Sequence, residues 1–297
     1  MWTKKSTKKI SKELLLSYEM KSCPNTISTI LKSMGYSLKI NYKKIECNKI
    51  LTPEERQLRN KQFLYIEKQR NNYQKRKYGI ISVDGKKKEY IGNFINKGSC
   101  WLKVSNEVFA YDYPSWAIGV GIPYGIYDIS HNQGIVNIGT SYNTGEFAVN
   151  SIKRWWETVG YKYYGKEKKI LILADSGGSN GCRLKYWKFG LQHKICNKYG
   201  IQISVSHYPT GTSKYNPIEH LLFNHISNNW EGQPLINYET MLKFISTTTT
   251  NKGLTVNAFL DNSEYEKGIK IKDKQMKELN IEFHKVNPKW NYTIYPY

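Results

Sequence analysis

From Tyr78 onward, apolar runs of strand length alternate with segments whose apolar residues recur at helical spacing, and this alternation limits the fold more than any other feature. "YGIISVD" reads as a strand ending at Asp84. "PYGIYDIS" and "GIVNIGTS" read as a hairpin turned at "HNQ". A helix is expected from about Thr144 to Val159, with Phe147, Ala148, Ile152 and Trp155 on one stripe. "KKILILADS" is then a buried strand ending on Asp175, "RLKYWKFGLQHKICNKY" a helix, "IQISVSHY" a strand and "NPIEHLLFNHISNNW" a helix. Gly165 and Gly200 punctuate the two strand entries, as connections from helix to strand prefer. This order implies a mixed α/β sheet with helical crossovers and excludes an all-β or bundle fold. No internal repeat appears.

The first forty-odd residues read as a separate unit. "ISKELLLSYEM" carries apolar residues at helical spacing. After a short break, Pro24 and Asn25 open a second helix with Ile27, Ile30, Leu31 and Met34 on one face and Gly35 as its stop. Two short helices joined tightly match a helix-turn-helix, as any small helical hairpin would. A charged stretch follows to Lys77. Within it Thr52, Pro53, Glu54 and Glu55 form a strong helix start, with a capping hydroxyl, proline in the first turn and acids at the positive dipole end. That helix is expected to link two domains.

Charge narrows the partners. Lys and Arg number 45 against 24 Asp and Glu, a formal net charge of +21. Such a balance suits a polyanion, because each phosphate neutralised releases counterions. A lysine-rich compositional bias gives the same excess, so charge alone fixes neither the polymer nor the chemistry. No apolar run approaches the roughly 20 residues of a membrane span, and the N-terminus lacks a signal-peptide pattern. The five cysteines form no CxxC pair, which argues against a disulfide framework or zinc cluster and for a reducing compartment. A bacterial, nucleoid-associated cytoplasmic protein is expected. No GxxxxGK[ST] motif indicates ATP use.

Three acids stand in comparable settings. Asp84 ends the first strand, Asp175 ends the fourth, and Glu219 lies in the first turn of the last helix. If those two strands run side by side, both aspartates finish at one sheet edge, where Glu219 can reach in. Three converging carboxylates repel unless a cation intervenes, and hard oxygen ligands suit Mg²⁺ or Mn²⁺. Two such ions about 3.5–4 Å apart support in-line phosphoryl displacement. Gly177 and Gly178 would leave room for a phosphate beside Asp175. Structural readings compete at each position: Asp84-Gly85 and Asp175-Ser-Gly-Gly are turn sequences, and Asn216 with Glu219 fits a capping box. Asp112, Asp128 and Glu146 rank below the three. Ser213, Lys214 and Asn216, with Ser179 and Asn180, are candidate contacts to a DNA backbone, or ordinary loop residues. His220 and His225, five apart, do not share a helix face as a metal pair would. Trp155, Trp156, Trp187 and Trp230 read as core or interface, and His207 lies near the site with no assigned role.

The stretches "PYGIYDISHNQGIVNIGTSYNTGEFAVNSIKRWW", "LILADSGGSNG", "HYPTGTSKYNPIEHLLFNHISNNWEGQPL" and "TTTTNKGLTVNAFLD" resemble the signature blocks of the Rhodopirellula-type DDE transposases of bacterial insertion sequences. The resemblance runs from about Ile10 to Ile294. It implies a ribonuclease H-like catalytic domain, an acidic triad at Asp84, Asp175 and Glu219, and metal-dependent cleavage and joining of double-stranded DNA at terminal repeats and target sites by a homo-oligomer. The implied division is a partial helix-turn-helix over 1–45, a basic helical linker over 46–77, the catalytic domain over 78–260 and a C-terminal extension over 261–297. Similar proteins carry more sequence ahead of the helix-turn-helix, so a truncated copy with impaired end recognition is expected. Two alternatives stay open: an inactive DNA-binding remnant, and a general ribonuclease H-like nuclease.

Overall fold

The structure, a computed structural model, describes residues 5–37 and 52–297. The chain forms two compact units, Met1–Lys49 and Ile50–Tyr297. The first holds two helices, α1 (Thr7–Tyr18) and α2 (Pro24–Ser33). Ser6 caps α1 by accepting from the Lys9 amide, and Pro24 sits in the first turn of α2. The stop expected at Gly35 is present: its φ is +81°, a left-handed geometry that a side chain disfavours. The domain boundary at 45–46 and Cys47 lie outside the described residues.

The second unit is built on a sheet of nine strands among the described residues. They are β1 (Gly79–Gly85), β2 (Glu89–Ile91), β3 (Gly119–Asp128), β4 (Gln133–Gly139), β5 (Lys169–Asp175), β6 (Gln202–Tyr208), β7 (Thr255–Asp261), β8 (Ile281–Phe283) and β9 (Asn291–Ile294). The spatial order is β7-β4-β3-β1-β5-β6-β9-β8, with β2 paired to β3. β1, β5 and β6 run parallel, while β3 is antiparallel to both β1 and β4. The helix expected after Thr144 is α4 (Gly145–Trp155), capped by the Thr144 hydroxyl and continued through wide turns to Tyr164 before β5.

Period-two alternation sends side chains to two cores. On one face Ile81, Val83, Ile170, Ile172, Ile203 and Val205 pack beneath Phe147, Ile152, Trp155 and Trp156 of the α4 region, and beneath Trp187 and Leu191. On the other face Tyr127, Val136 and Ile138 meet Ile218, Leu222, Phe223 and Trp230. The tryptophans read as core are therefore core. Beside them Ile80, Leu171 and Leu173 meet Ile66 and Tyr73 of α3 (Pro53–Lys75). The helix start at Thr52 is a complete capping box, with the Thr52 amide 3.0 Å from Glu55 Oε2 and the Glu55 amide 3.2 Å from Thr52 Oγ1.

Two segments differ from the linker and extension expected. α3 lies against the sheet, since its core-facing positions are filled. Gln62, wholly buried there, donates to the His207 carbonyl and to Asn291 Oδ1, each at 2.9 Å. Residues beyond 261 supply β8 and β9, which extend the same sheet past β6.

Candidate active site

The sheet register brings the first two acids together. Ile80 pairs with Leu171, Ser82 with Leu173 and Val83 with Ala174; one further step sets Asp84 across from Asp175. By alternation both side chains share the face of Ile80 and Leu171. Adjacent strands lie about 4.8 Å apart, so these carboxylates are neighbours at one edge.

Glu219 arrives on the helix that begins near Pro217 and packs on that same face. Asp84 is in register with Gly125. A Cβ at Gly125 would stand 2.6 Å from Phe223 Cε1 and 2.8 Å from Ile218 Cδ1; one at Gly134 would stand 2.5 Å from Leu222 Cδ1. Two glycines thus let the helix carrying Glu219 settle close to β3 and β4.

Asn216 ties the three elements together. Its Nδ2 donates to Asp175 Oδ1 at 3.2 Å and to the Val83 carbonyl at 3.4 Å. Its Oδ1 accepts from Ser82 Oγ at 2.5 Å, and Ser82 Oγ in turn accepts from the Ile218 amide at 3.1 Å. The capping-box alternative is not realised: the Glu219 amide bonds the Asn216 backbone carbonyl, while the side chain turns to Asp175. Asn216 is fully buried, so deleting its amide strands Ser82. Asn216→Ala is expected to lower stability by about 2 kcal/mol, measured by urea unfolding. Asn216→Asp, which adds a carboxylate against Asp175, is expected to cost more.

Electrostatics at the edge are strained. Burial and then the Asp175 charge push the Asp84 carboxyl up to about 8; Glu219 adds to the rise, and the Gly85 amide, 2.7 Å from Asp84 Oδ1, opposes it. Burial and then Asp175 also raise Glu219, while His220 and Lys86 pull it down. Lys86 is held by Glu89 at 3.0 Å and over the Trp230 ring at 4.8 Å. Among the described residues none of the three acids forms an ion pair, and no three His, Cys, Asp or Glu side chains stand close enough to enclose one ion. The acids are repelling neighbours, not a closed cage.

The other candidates separate. Ser213 and Lys214 line a cleft of about 590 Å³ together with Glu219, Lys86, Lys87 and His220. Ser179 and Asn180 are buried, and Asn180 Nδ2 donates to the Asp175 carbonyl at 3.2 Å. Asn180 and Asn216 therefore hold Asp175 from within, while the Ser179 hydroxyl has no hydrogen-bond partner among the described residues. Asp128 is buried under Tyr164 and His131 on the stretch of β3 that pairs with Ile81, away from Asp84, and Glu146 pairs with Lys194 at 2.6 Å. His207, unassigned from sequence, is buried on β6. Its Nδ1 lies 2.9 Å from the Asp175 carbonyl and its Nε2 3.2 Å from the Tyr292 hydroxyl; burial lowers it to about 4 and keeps it neutral.

A family model described as the Rhodopirellula transposase DDE domain matches residues 1–296. The chain belongs to that family. Its sheet, with helices on both faces, is the ribonuclease H-like DDE fold. The solved Mos1 transposase paired-end complex with left transposon end aligns over 81% of this chain and 65% of its own, at 13% identity and TM-score 0.48. The Mos1 mariner paired end complex with Mn aligns over the same shares, 81% and 65%, at 14% identity and TM-score 0.46. This DDE-family chain thus spans a little under two thirds of the length of those structures. No curated protein matches its sequence. No helix among its described residues is long and apolar enough to cross a membrane.

Proposed function

We propose that this protein is a DNA transposase that cuts double-stranded DNA at the ends of an insertion sequence and joins the freed 3′-hydroxyl to target DNA. The observation that carries the proposal is the crowding of Asp84, Asp175 and Glu219 at one sheet edge of a chain with a net charge of +21. The donor set fits Mg²⁺ or Mn²⁺: it is entirely carboxylate oxygen, its charges oppose one another, and such ions bind through one or two carboxylates plus substrate phosphates without needing a protein cage. Asp84, Asp175 and Glu219 would each supply ligand oxygens to metal ions completed by substrate phosphates, and such ions would supply Lewis-acid activation of the attacking oxygen and charge stabilisation at the phosphorus.

The chain's own residues supply the frame. Asn216 fixes one oxygen of Asp175, and among the described residues the other accepts no hydrogen bond. Ser82 locks the helix start before Glu219, and Lys86, Lys87 and Lys214 present cations in the cleft beside Glu219, where a DNA phosphate would lie. In-line attack by water releases a 3′-hydroxyl from its neighbouring phosphate. That hydroxyl then attacks a target phosphate, with one P–O bond formed and one broken each time.

The test is cleavage of a labelled duplex carrying the element's own end, with Mg²⁺ or Mn²⁺. Wild type is expected to nick at the end. Asp175→Asn is expected to lose cleavage by at least roughly 10³-fold, as when a group acting at the reacting centre is removed, with DNA affinity unchanged or slightly raised. Undiminished cleavage by Asp175→Asn would remove the triad assignment. Cutting without preference for the end would identify a general nuclease, and binding without cutting a DNA-binding protein lacking this chemistry.

A further inference from the structure

A second groove lies beside the loop that follows Asp175, apart from the cleft lined by Glu219. Its near part, about 540 Å³, is bounded by Ser176, Gly177 and Gly178, the residues that follow Asp175, and by Arg183 and Trp290. A Cβ at Gly177 or Gly178 would meet nothing within 4 Å, so this approach is open. Arg183 and Trp290 also line a larger cavity of about 790 Å³, whose floor is apolar through Phe283, Met276 and Leu58. The two cavities share Cys182, Arg183 and Trp290, and together they run from the residues that follow Asp175 to an aromatic recess.

The recess is built. Trp290 is fixed through its backbone, its carbonyl accepting from the His207 amide at 2.9 Å and its amide donating to Asn287 at 2.8 Å. Phe283 leans on buried Tyr292, with ring centroids 6.2 Å apart. Lys188 is buried in the wall, its ammonium bonded to the Cys182 carbonyl and lying 5.0 Å from the Tyr292 ring centroid. Lys185 at the mouth is paired with Asp273 at 2.6 Å. Arg183 and Lys289 form no ion pair among the described residues. An apolar floor with unpaired cations at its rim matches one chemistry in particular: a flat base that stacks on the rings, with its phosphate on the guanidinium and ammonium.

We propose that this groove binds one unpaired nucleotide of the DNA strand passing the carboxylates, its base against Trp290 and Phe283 and its phosphate on Arg183 and Lys289. The inference rests on the DNA-processing reading above and adds a subsite to it. A paired base cannot enter, so the groove favours DNA whose pair beside the cut is already open and offsets part of the unpairing cost elsewhere.

The experiment compares the full chain's affinity for two duplexes carrying the element's end, one fully paired and one with a single mispair next to the cut. Wild type is expected to bind the mispaired duplex roughly tenfold more tightly, since unpairing no longer has to be supplied by binding. Trp290→Ala and Arg183→Gln are expected to erase that preference while leaving affinity for the paired duplex within about threefold. Because Trp290 is half-buried and its loss could unfold the protein, Phe283→Ala and Gly177→Leu serve as further variants. Phe283 is half-exposed, and Gly177 has an extended backbone with free space for a side chain. Equal affinity of wild type for the two duplexes, or a preference that survives in folded Arg183→Gln and Phe283→Ala, overturns the subsite. Loss of cleavage in wild type with the mispair preference intact would sink the transposase reading and leave the subsite standing.

Discussion

Asp84→Asn is expected to make the cation-free protein more stable and to abolish its cleavage of DNA. The two effects have one origin. In the folded chain the Asp84 carboxyl is pushed up to about 8 by burial and by Asp175, whereas an unfolded aspartate titrates near 4. Between those values the folded state keeps a proton that the unfolded state has released. The unfolded state therefore binds fewer protons, and stability falls as pH rises from about 4 to about 8. Each unit of such a gap is worth about 1.4 kcal/mol at most. Asp84 is only partly screened from water at its strand end, so a loss nearer 2–3 kcal/mol is expected. In chelator, wild-type Tm should drop by roughly 5–10 °C across that window, and Asp84→Asn should flatten the slope. Adding Mg²⁺ or Mn²⁺ near pH 7.5 should restore the wild type and do little for the variant, because the cation binds only the folded carboxylates. Cleavage should fall by at least roughly 10³-fold in the same variant. A turn-forming Asp84 would behave differently: its asparagine variant would keep activity and the pH slope would remain.

The parts of this site legible in the sequence are those written in local pattern. "ILILAD" and "GIISVD" are apolar runs of strand length that end in an acid, and period-two alternation puts Asp84 and Asp175 on the same face once β1 and β5 pair in parallel. Glu219 was legible as an acid in a first helical turn. The role of Asn216 was not, because its local reading as a helix cap is chemically sound. What overrides the cap is Ser82, a partner 134 residues away in sequence. Docking of α3 was hidden for a similar reason. A polar residue, Gln62, occupies a core-facing position and is satisfied by distant partners, His207, Asn287 and Asn291, so the apolar stripe looks broken. His207 carried no signal beyond its nearness to the site, since burial between β5 and β9 makes it a support for the Asp175 backbone.

Gly125→Ala tests whether the closeness of the Glu219 helix matters, without touching any acid. The added methyl would stand 2.6 Å from Phe223 Cε1 and 2.8 Å from Ile218 Cδ1, both in a packed core. Overpacking of this kind costs about 1–3 kcal/mol, and the stiffer strand backbone returns about 0.5–1 kcal/mol. A net loss of about 1–2 kcal/mol in urea unfolding is therefore expected, with the helix shifted away from β3. Glu219 moves with it, while Asp84 and Asp175 keep their β1–β5 register. Displacement of a reacting group by about an ångström can lower a rate by about 10², so cleavage should drop roughly 10- to 100-fold with DNA affinity retained. Phe223→Leu in the same chain removes the ring that the methyl strikes. The double variant should recover most of the cleavage even though Phe223→Leu alone lowers stability, a coupling that only neighbouring residues show. If Gly125→Ala cleaves as fast as wild type, Glu219 does not need its present seat against the sheet, and its place in the acidic triad falls.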